Sequence, residues 1–183
     1  MMANNRLLLM MLPVLLVTAT PRFAFGDERA MLGGGSVATP LASPAADGQG
    51  RLVTEPLYTG VIVPDTVAPA FIRAFFGGQA DGYWTPHAAD VARLEAALAP
   101  FLRDSPVARS PDLWQRLPDY TRQYVGIVAE GRARILVNAF CDDLGIDWRT
   151  TPVAVLDGGD CFFQVTYDVT SGAFSGLMVN GEA

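Results

Sequence analysis

From Tyr120 to Ala183 apolar residues recur at every second position in segment after segment, which is the period of strands. In 132–141, Ala133, Ile135, Val137, Ala139 and Cys141 share one face, while Arg132, Arg134 and Asn138 share the other. In 161–169, Cys161, Phe163, Val165, Tyr167 and Val169 oppose Phe162, Gln164, Thr166 and Asp168. This alternation predicts an antiparallel sheet with one buried and one largely wet face. Turn residues stand where the runs stop, at Glu130-Gly131, Asp157-Gly158-Gly159-Asp160 and Ser171-Gly172, with glycine supplying the positive φ of tight hairpins. The predicted strands are Thr121–Ala129, Arg132–Cys141, Pro152–Leu156, Cys161–Val169 and Phe174–Val179.

Upstream the period changes. Leu57–Val63 is short and β-rich, an edge strand or an extended lead-in that ends at Pro64-Asp65. Asp65 or Thr66 can cap a helix bearing Val67, Phe71, Ile72, Phe75 and Phe76 on one face, with Pro69 tolerated in its first turn and Gly77-Gly78 ending it. A second helix starts with Thr85 as cap and Pro86 at the first position, and Val91, Leu94, Leu98, Phe101 and Leu102 form its apolar stripe. Pro100 is expected to bend or shorten its last turn. Ser110-Pro111-Asp112-Leu113-Trp114 repeats the cap-then-proline start and predicts one or two further turns. Helices first and hairpins second is the order of an α+β domain: an antiparallel sheet of four to five strands with two to three helices packed on one face.

The N-terminus does not belong to that domain. Leu7–Ala19 is an apolar run of 13 residues led by Arg6, and Ala24-Phe25-Gly26 offers the small residues of a cleavage site. The run is shorter than the ~20 residues of a membrane-spanning helix, so residues 1–26 are expected to be a signal peptide. Residues 27–50, rich in Gly, Ala, Ser and Pro and without an aromatic side chain, predict a flexible leader. The single folded domain would span 51–183, in a periplasmic or secreted protein with no membrane attachment after cleavage. After Gly26 the chain carries 19 acidic and 11 basic residues, a net charge of −8, which argues against nucleic acid as a partner.

Cys141 ends one predicted strand and Cys161 begins another. An exported setting permits a disulfide, and closing a loop of that length would stabilise the fold by ~3 kcal/mol. A meander with Pro152–Leu156 as the intervening strand forbids it. Five strand residues alone separate the cysteines by ~16 Å, and a bridge needs Cα atoms within ~7 Å. Reduced, each cysteine would serve as a small hydrophobe. The bond and the meander exclude each other, and the residues alone do not choose between them.

Candidate chemistry is sparse. His87, the one histidine, sits at a helix N-terminus, which disfavours its protonated form, and nothing in the sequence brings it near a cysteine thiol. Asp142, Asp143, Asp147, Asp157 and Asp160 lack the spacing of a calcium loop and are residues that turns use in any case. No catalytic residue, metal or cofactor is assigned. Two surfaces are candidates for binding. The loop 77–84 joins three glycines to Tyr83 and Trp84, either a stacking surface or a hydrophobic staple ahead of Thr85. On the sheet, Arg122, Tyr124, Arg134, Asn138, Phe162 and Gln164 are expected to share an open face, with Phe140 and Phe162 covered by a helix or a partner.

At Tyr120-Thr-Arg-Gln-Tyr124-Val-Gly126-Ile127, Val137-Asn138-Ala139-Phe140, Trp148-Arg149, Asp157-Gly158-Gly159, Phe162-Phe163, Tyr167-Asp168 and Asn180-Gly181, the chain resembles a group of small exported bacterial proteins of unassigned function. The likeness covers about the last 65 residues. It implies a self-contained exported domain and brings no activity with it. The expected function is a non-enzymatic binding or accessory module that recognises an envelope protein or peptide. The alternatives are a small periplasmic enzyme with a pocket between helices and sheet, and a structural subunit that pairs through an edge strand.

Overall fold

The computed structural model describes residues 49–76, 80–108 and 112–181. The expected signal peptide, the leader up to residue 48, the helix stop at Gly77 and Gly78, and the cap at Ser110 and Pro111 lie outside the described residues. Among the described residues the fold is α+β, with a mixed sheet of seven strands and two α-helices. The strands are β1 (Arg51–Glu55), β2 (Tyr58–Ile62), β3 (Gly82–Trp84), β4 (Thr121–Ala129), β5 (Arg132–Phe140), β6 (Phe162–Asp168) and β7 (Phe174–Val179). The helices are α1 (Ala68–Phe76) and α2 (Ala88–Asp104).

Sheet order is β1-β2-β4-β5-β6-β7, and β3 pairs with β4 beside this path. Neighbours are antiparallel except β2 and β4, which run parallel. The expectation of four to five antiparallel strands is therefore corrected to seven in a mixed sheet. β2, expected as an edge strand or an extended lead-in, lies inside the sheet between β1 and β4. The first half of β4 pairs with β2 over 121–124 and the second half with β3 over 126–128, so two short strands share one edge of a long one. Gly126 makes that possible: a Cβ there would stand 2.0 Å from the Trp84 carbonyl oxygen. The β4–β5 hairpin turns on Glu130 (φ 55°) and Gly131 (φ 70°), the two positive φ values of a type I′ turn.

Both faces of the sheet are buried, which overturns the wet face and the one-sided helices. On one face the α2 stripe Val91, Leu94, Leu98 and Leu102 packs on Tyr124, Ile135, Val137, Phe163 and Val165. On the other, Ala68, Phe71 and Ile72 of α1 join Val125, Leu136, Phe140, Trp148, Val153 and Phe162 in a second core. The segment 142–156 contributes Trp148 and Val153 to that second core, and Phe140 and Phe162 are covered by this chain itself. Arg134, expected on the open face, is partly buried and pairs with Glu130 at 2.6 Å.

Helix starts also differ. α2 begins at Ala88, and its N-cap is His87, whose amide donates to Asp90 Oδ2 at 3.3 Å. The Thr85 hydroxyl accepts instead from the Asp65 amide at 3.0 Å, tying the approach to α1 to the approach to α2. Pro100 does not end α2, which continues to Asp104. Around 112–116 the backbone makes a turn rather than a helix, followed by a short 3₁₀ turn at Leu117–Asp119.

Pro152–Leu156 is not a strand, so β5 pairs directly with β6 and the meander is corrected. Phe140 and Phe162 are register partners, which sets Cys141 and Cys161 side by side just beyond the ladder with Cα atoms 5.1 Å apart. They form a disulfide.

Two outcomes follow from this architecture. Leu136→Ala, at a site 2% exposed, should lower the unfolding free energy by about 2–5 kcal/mol in urea denaturation; a change within ~0.5 kcal/mol is what a solvated face would give. Alkylation of the unfolded protein should leave its mass unchanged until reductant is added, and Cys141→Ser with Cys161→Ser should lower stability by about 3 kcal/mol. Labelling without reductant would show that the bond does not form.

Candidate functional site

A second stripe on α2 makes the site. Ala92, Glu95, Ala96 and Ala99 recur at the spacing of a helix face and flank the leucine stripe. Three of the four are alanines, so α2 stands off from its neighbours on this side, and a cavity of about 800 Å³ remains. Glu55, Pro56, Leu57 and Tyr58, at the turn of the β1–β2 hairpin, form a second wall. Trp114, Gln115, Leu117 and Pro118 form a third, and Arg122 of β4 contributes the inner end.

That inner end is charged. Arg122 has 0% of its surface exposed. Its Nη1 donates to the Tyr120 carbonyl oxygen, and its Nε lies 3.3 Å from Glu95 Oε1 as an ion pair. Nη2 is buried without a hydrogen-bond partner. The Tyr124 hydroxyl donates to the same Glu95 oxygen at 2.8 Å. Close approach of β2 helps to seat this group, because a Cβ on Gly60 would stand 2.7 Å from the Tyr124 ring.

The environment shifts three titrations. Burial raises the Glu95 carboxyl above its ordinary range, against the opposing pull of the Arg122 charge and the Tyr124 hydroxyl. Burial, reinforced by the Glu95 charge, holds the Tyr124 phenol well above its usual value. Tyr58 is raised by burial first and then by the carboxylates of Glu55 and Glu95. Both phenols therefore stay neutral donors near neutral pH.

The structure divides the sheet residues expected to share an open face. Arg122 and Tyr124 lie on the α2 face, at and beside the cavity. Asn138, Phe162 and Gln164 lie on the opposite face, where Asn138 is 3% exposed. There Gln123, Asn138 and Gln164 are register partners across β4, β5 and β6 and form a polar row. Asn138 Nδ2 donates to Gln123 Oε1 at 3.1 Å and to the Val153 carbonyl at 2.9 Å, and Gln164 Nε2 donates to Asn138 Oδ1 at 3.0 Å. Gln123 Nε2 donates to the carbonyls of Trp148 and Thr151. The row stitches the segment 148–153 onto the sheet. Asp168, far along β6, accepts the amides of Thr170 and Ser171 and closes the turn into β7.

Tyr83 and Trp84 lie in β3 rather than in a loop, and both are half-buried. Trp84 Nε1 donates to the carbonyls of Ile127 and Arg134 at 3.1 and 3.2 Å, and its ring packs on the α2 side of the sheet while Tyr83 packs on the α1 side. The aspartates of the 142–150 loop accept their own loop's amides: Asp142 from Leu144, Asp143 from Gly145 and Asp147 from Arg149. Among the described residues no group of three or more His, Cys, Asp or Glu is placed to hold a metal ion.

Glu95, Tyr58 and the alanine stripe are the features that sequence reasoning passed over. The signal for Glu95 and the stripe was present at the 92/95/96/99 spacing, but alanine on a helix reads as propensity before it reads as space. No family model matches the chain, and neither curated proteins nor solved structures give a match.

The raised Glu95 carboxyl has a defined sign. The folded chain holds this proton to higher pH than the unfolded chain, so the stability it contributes is complete below the ordinary value of 4.5. That contribution is lost as pH rises through the folded value. Wild type should therefore lose stability relative to Glu95→Gln as pH rises above 4.5, measured as the difference in urea unfolding free energies. A difference that grows in favour of wild type would mean that attraction to Arg122 outweighs desolvation.

Proposed function

We propose that the protein is a non-enzymatic binding module, working in a periplasm or outside the cell, that takes a small apolar molecule into the cavity between α2 and the β1–β2 hairpin. The cavity carries this reading. Its volume of about 800 Å³ falls within the ~300–1,000 Å³ of small-molecule sites, which are mostly apolar with few polar groups. Leu57, three alanines of α2, Trp114, Leu117 and Pro118 supply apolar wall, and among the described residues no serine, threonine, cysteine or histidine lines it. Glu95 and Arg122 are engaged with each other, so neither stands ready as a base or nucleophile. The export setting is supported by the Leu7–Ala19 run and by the Cys141–Cys161 disulfide, a bond of oxidising compartments. In this reading the envelope protein or peptide expected as partner gives way to a small ligand.

One observation favours the enzyme instead. A buried carboxyl with a raised pKa beside a phenol and a guanidinium is the kind of group that active sites use. Structural ion pairs perturb carboxyls in the same way, and the described residues of the lining hold no second reacting group of the kind catalysis requires.

The binding reading is tested with N-phenylnaphthylamine, an uncharged apolar dye that brightens on leaving water. Purified protein should bind it saturably, and Ala96→Trp should abolish binding at unchanged thermal stability, because position 96 is exposed on α2 and lines the cavity. Equal dye binding by wild type and Ala96→Trp, or none by wild type, would refute the proposal.

A further inference from the structure

We infer that the occupant of this cavity is an uncharged apolar molecule carrying a hydrogen-bond-accepting oxygen, which Arg122 Nη2 receives at the inner end. The inference rests on the binding reading and adds to it the chemistry of the ligand.

The first premise is an unfilled donor. Of the Arg122 nitrogens, Nη1 is bonded to the Tyr120 carbonyl oxygen and Nε is ion-paired with Glu95, while Nη2 is buried with no hydrogen-bond partner. Buried polar groups in folded proteins are almost always bonded, and an orphan on a charged group is among the least tolerated. An acceptor oxygen delivered by a ligand fills that place.

The second premise is charge. Among the described residues, three ionisable groups other than Tyr58 line the cavity: Glu55, Glu95 and Arg122. Two carboxylates face one guanidinium, and the guanidinium is already paired. A ligand carboxylate at the inner end would add a second negative charge beside buried Glu95, and an ammonium there would stand beside the Arg122 cation. A neutral acceptor such as an ester or ketone oxygen meets neither repulsion.

The third premise is access. Arg122 has no exposed surface, so the oxygen reaches Nη2 only if the wall yields. The β1–β2 turn is the part able to yield at least expense: Glu55, Pro56 and Leu57 are exposed, Leu57 is 70% so, and Tyr58 is half-buried. On the other sides the cavity is bounded by α2, whose leucine stripe is locked in the core, and by the 114–118 wall, which buried Leu117 anchors although Gln115 and Pro118 are exposed.

The experiment displaces N-phenylnaphthylamine with four molecules of similar chain length: methyl decanoate, decanoate, decylamine and decane. Near neutral pH methyl decanoate should displace the dye at about tenfold lower concentration than decane, the factor that one hydrogen bond to a charged donor supplies. Decanoate and decylamine should both compete less well than the ester. The carbonyl stretch of bound, isotope-labelled methyl decanoate should fall in frequency relative to the ester in hydrocarbon. Arg122→Met should erase both the advantage over decane and the infrared shift. Should that variant not fold, the wild-type infrared shift decides alone. Decane binding as tightly as the ester, decanoate binding more tightly, or an unshifted carbonyl would each overturn the inference while leaving the cavity a binding site. If the dye binds wild type but not Ala96→Trp and none of the four displaces it, the inference also fails. Loss of dye binding in wild type would remove the binding reading itself.

Discussion

Nothing in the first half of β4 after Thr121 reaches solvent: residues 122–126 are buried, with successive side chains directed to opposite faces. A strand in that position needs a cover on each side. α2 supplies one cover, and α1 with the 142–156 segment supplies the other. It also needs internal partners for every polar group it carries, because water is not there to provide them. β4 carries three such side chains in succession, Arg122, Gln123 and Tyr124, whose hydroxyl donates to Glu95, and most of what distinguishes the molecule follows from how the first two are accommodated.

Gln123 is accommodated completely. With Asn138 and Gln164 it forms a row in which side-chain amides bond one another and the carbonyls of Trp148, Thr151 and Val153, so an irregular segment without its own ladder is held as firmly as a strand. Arg122, one residue earlier and on the other face, is accommodated only in part. Glu95 meets its charge, but the pair has been taken out of water, and the cost of that desolvation offsets much of the attraction. An apolar residue in the same place would hold the two layers together equally well. The incompletely bonded guanidinium is therefore better understood through the cavity it borders than through stability.

The hairpins were legible because period two and turn chemistry are local. β4 and β7 match their expected limits, β5 and β6 differ by a residue at an end or at both, and the turns at Gly131 and Gly172 close hairpins as expected, whereas 157–160 closes none. The second buried face was not read, although Val125, Leu136, Phe140 and Phe162 lay on it in plain sequence, because Arg132, Arg134 and Asn138 made it look solvated. Which residues share a face was misread for a geometric reason. The two-residue turn at Glu130 and Gly131 pairs even-numbered residues of β4 with odd-numbered residues of β5, so Arg122 faces with Ala139 and not with Asn138. β1 and β3 are short, half-exposed strands whose existence depends on partners distant in sequence, and no local pattern announces them. The disulfide was withheld by a strand that does not form; once 152–156 is irregular, β5 and β6 meet and the cysteines with them.

The cavity persists for reasons that lie outside it. A gap lined by alanine would close if its walls were free to move, since a void forfeits contacts on every side. Here each wall is fixed by something else. α2 is held by its leucines on the sheet, and the hairpin is held by the parallel pairing of β2 with β4. The 114–118 segment is held from below: Arg116 pairs with Asp160 at 3.0 Å, and the Tyr120 hydroxyl donates to the Asp160 carbonyl at 2.5 Å. Burial drives the Tyr120 phenol up to about 12, which keeps it a donor. The Arg116 pair is half-exposed and weak by itself. Asp160, however, precedes Cys161, so the third wall is anchored to a turn that the disulfide clamps against the end of β5. The cross-link at one end of the β5–β6 pair thus helps to keep open a space on the α2 face, and the cavity is a consequence of the whole topology rather than of the residues that line it.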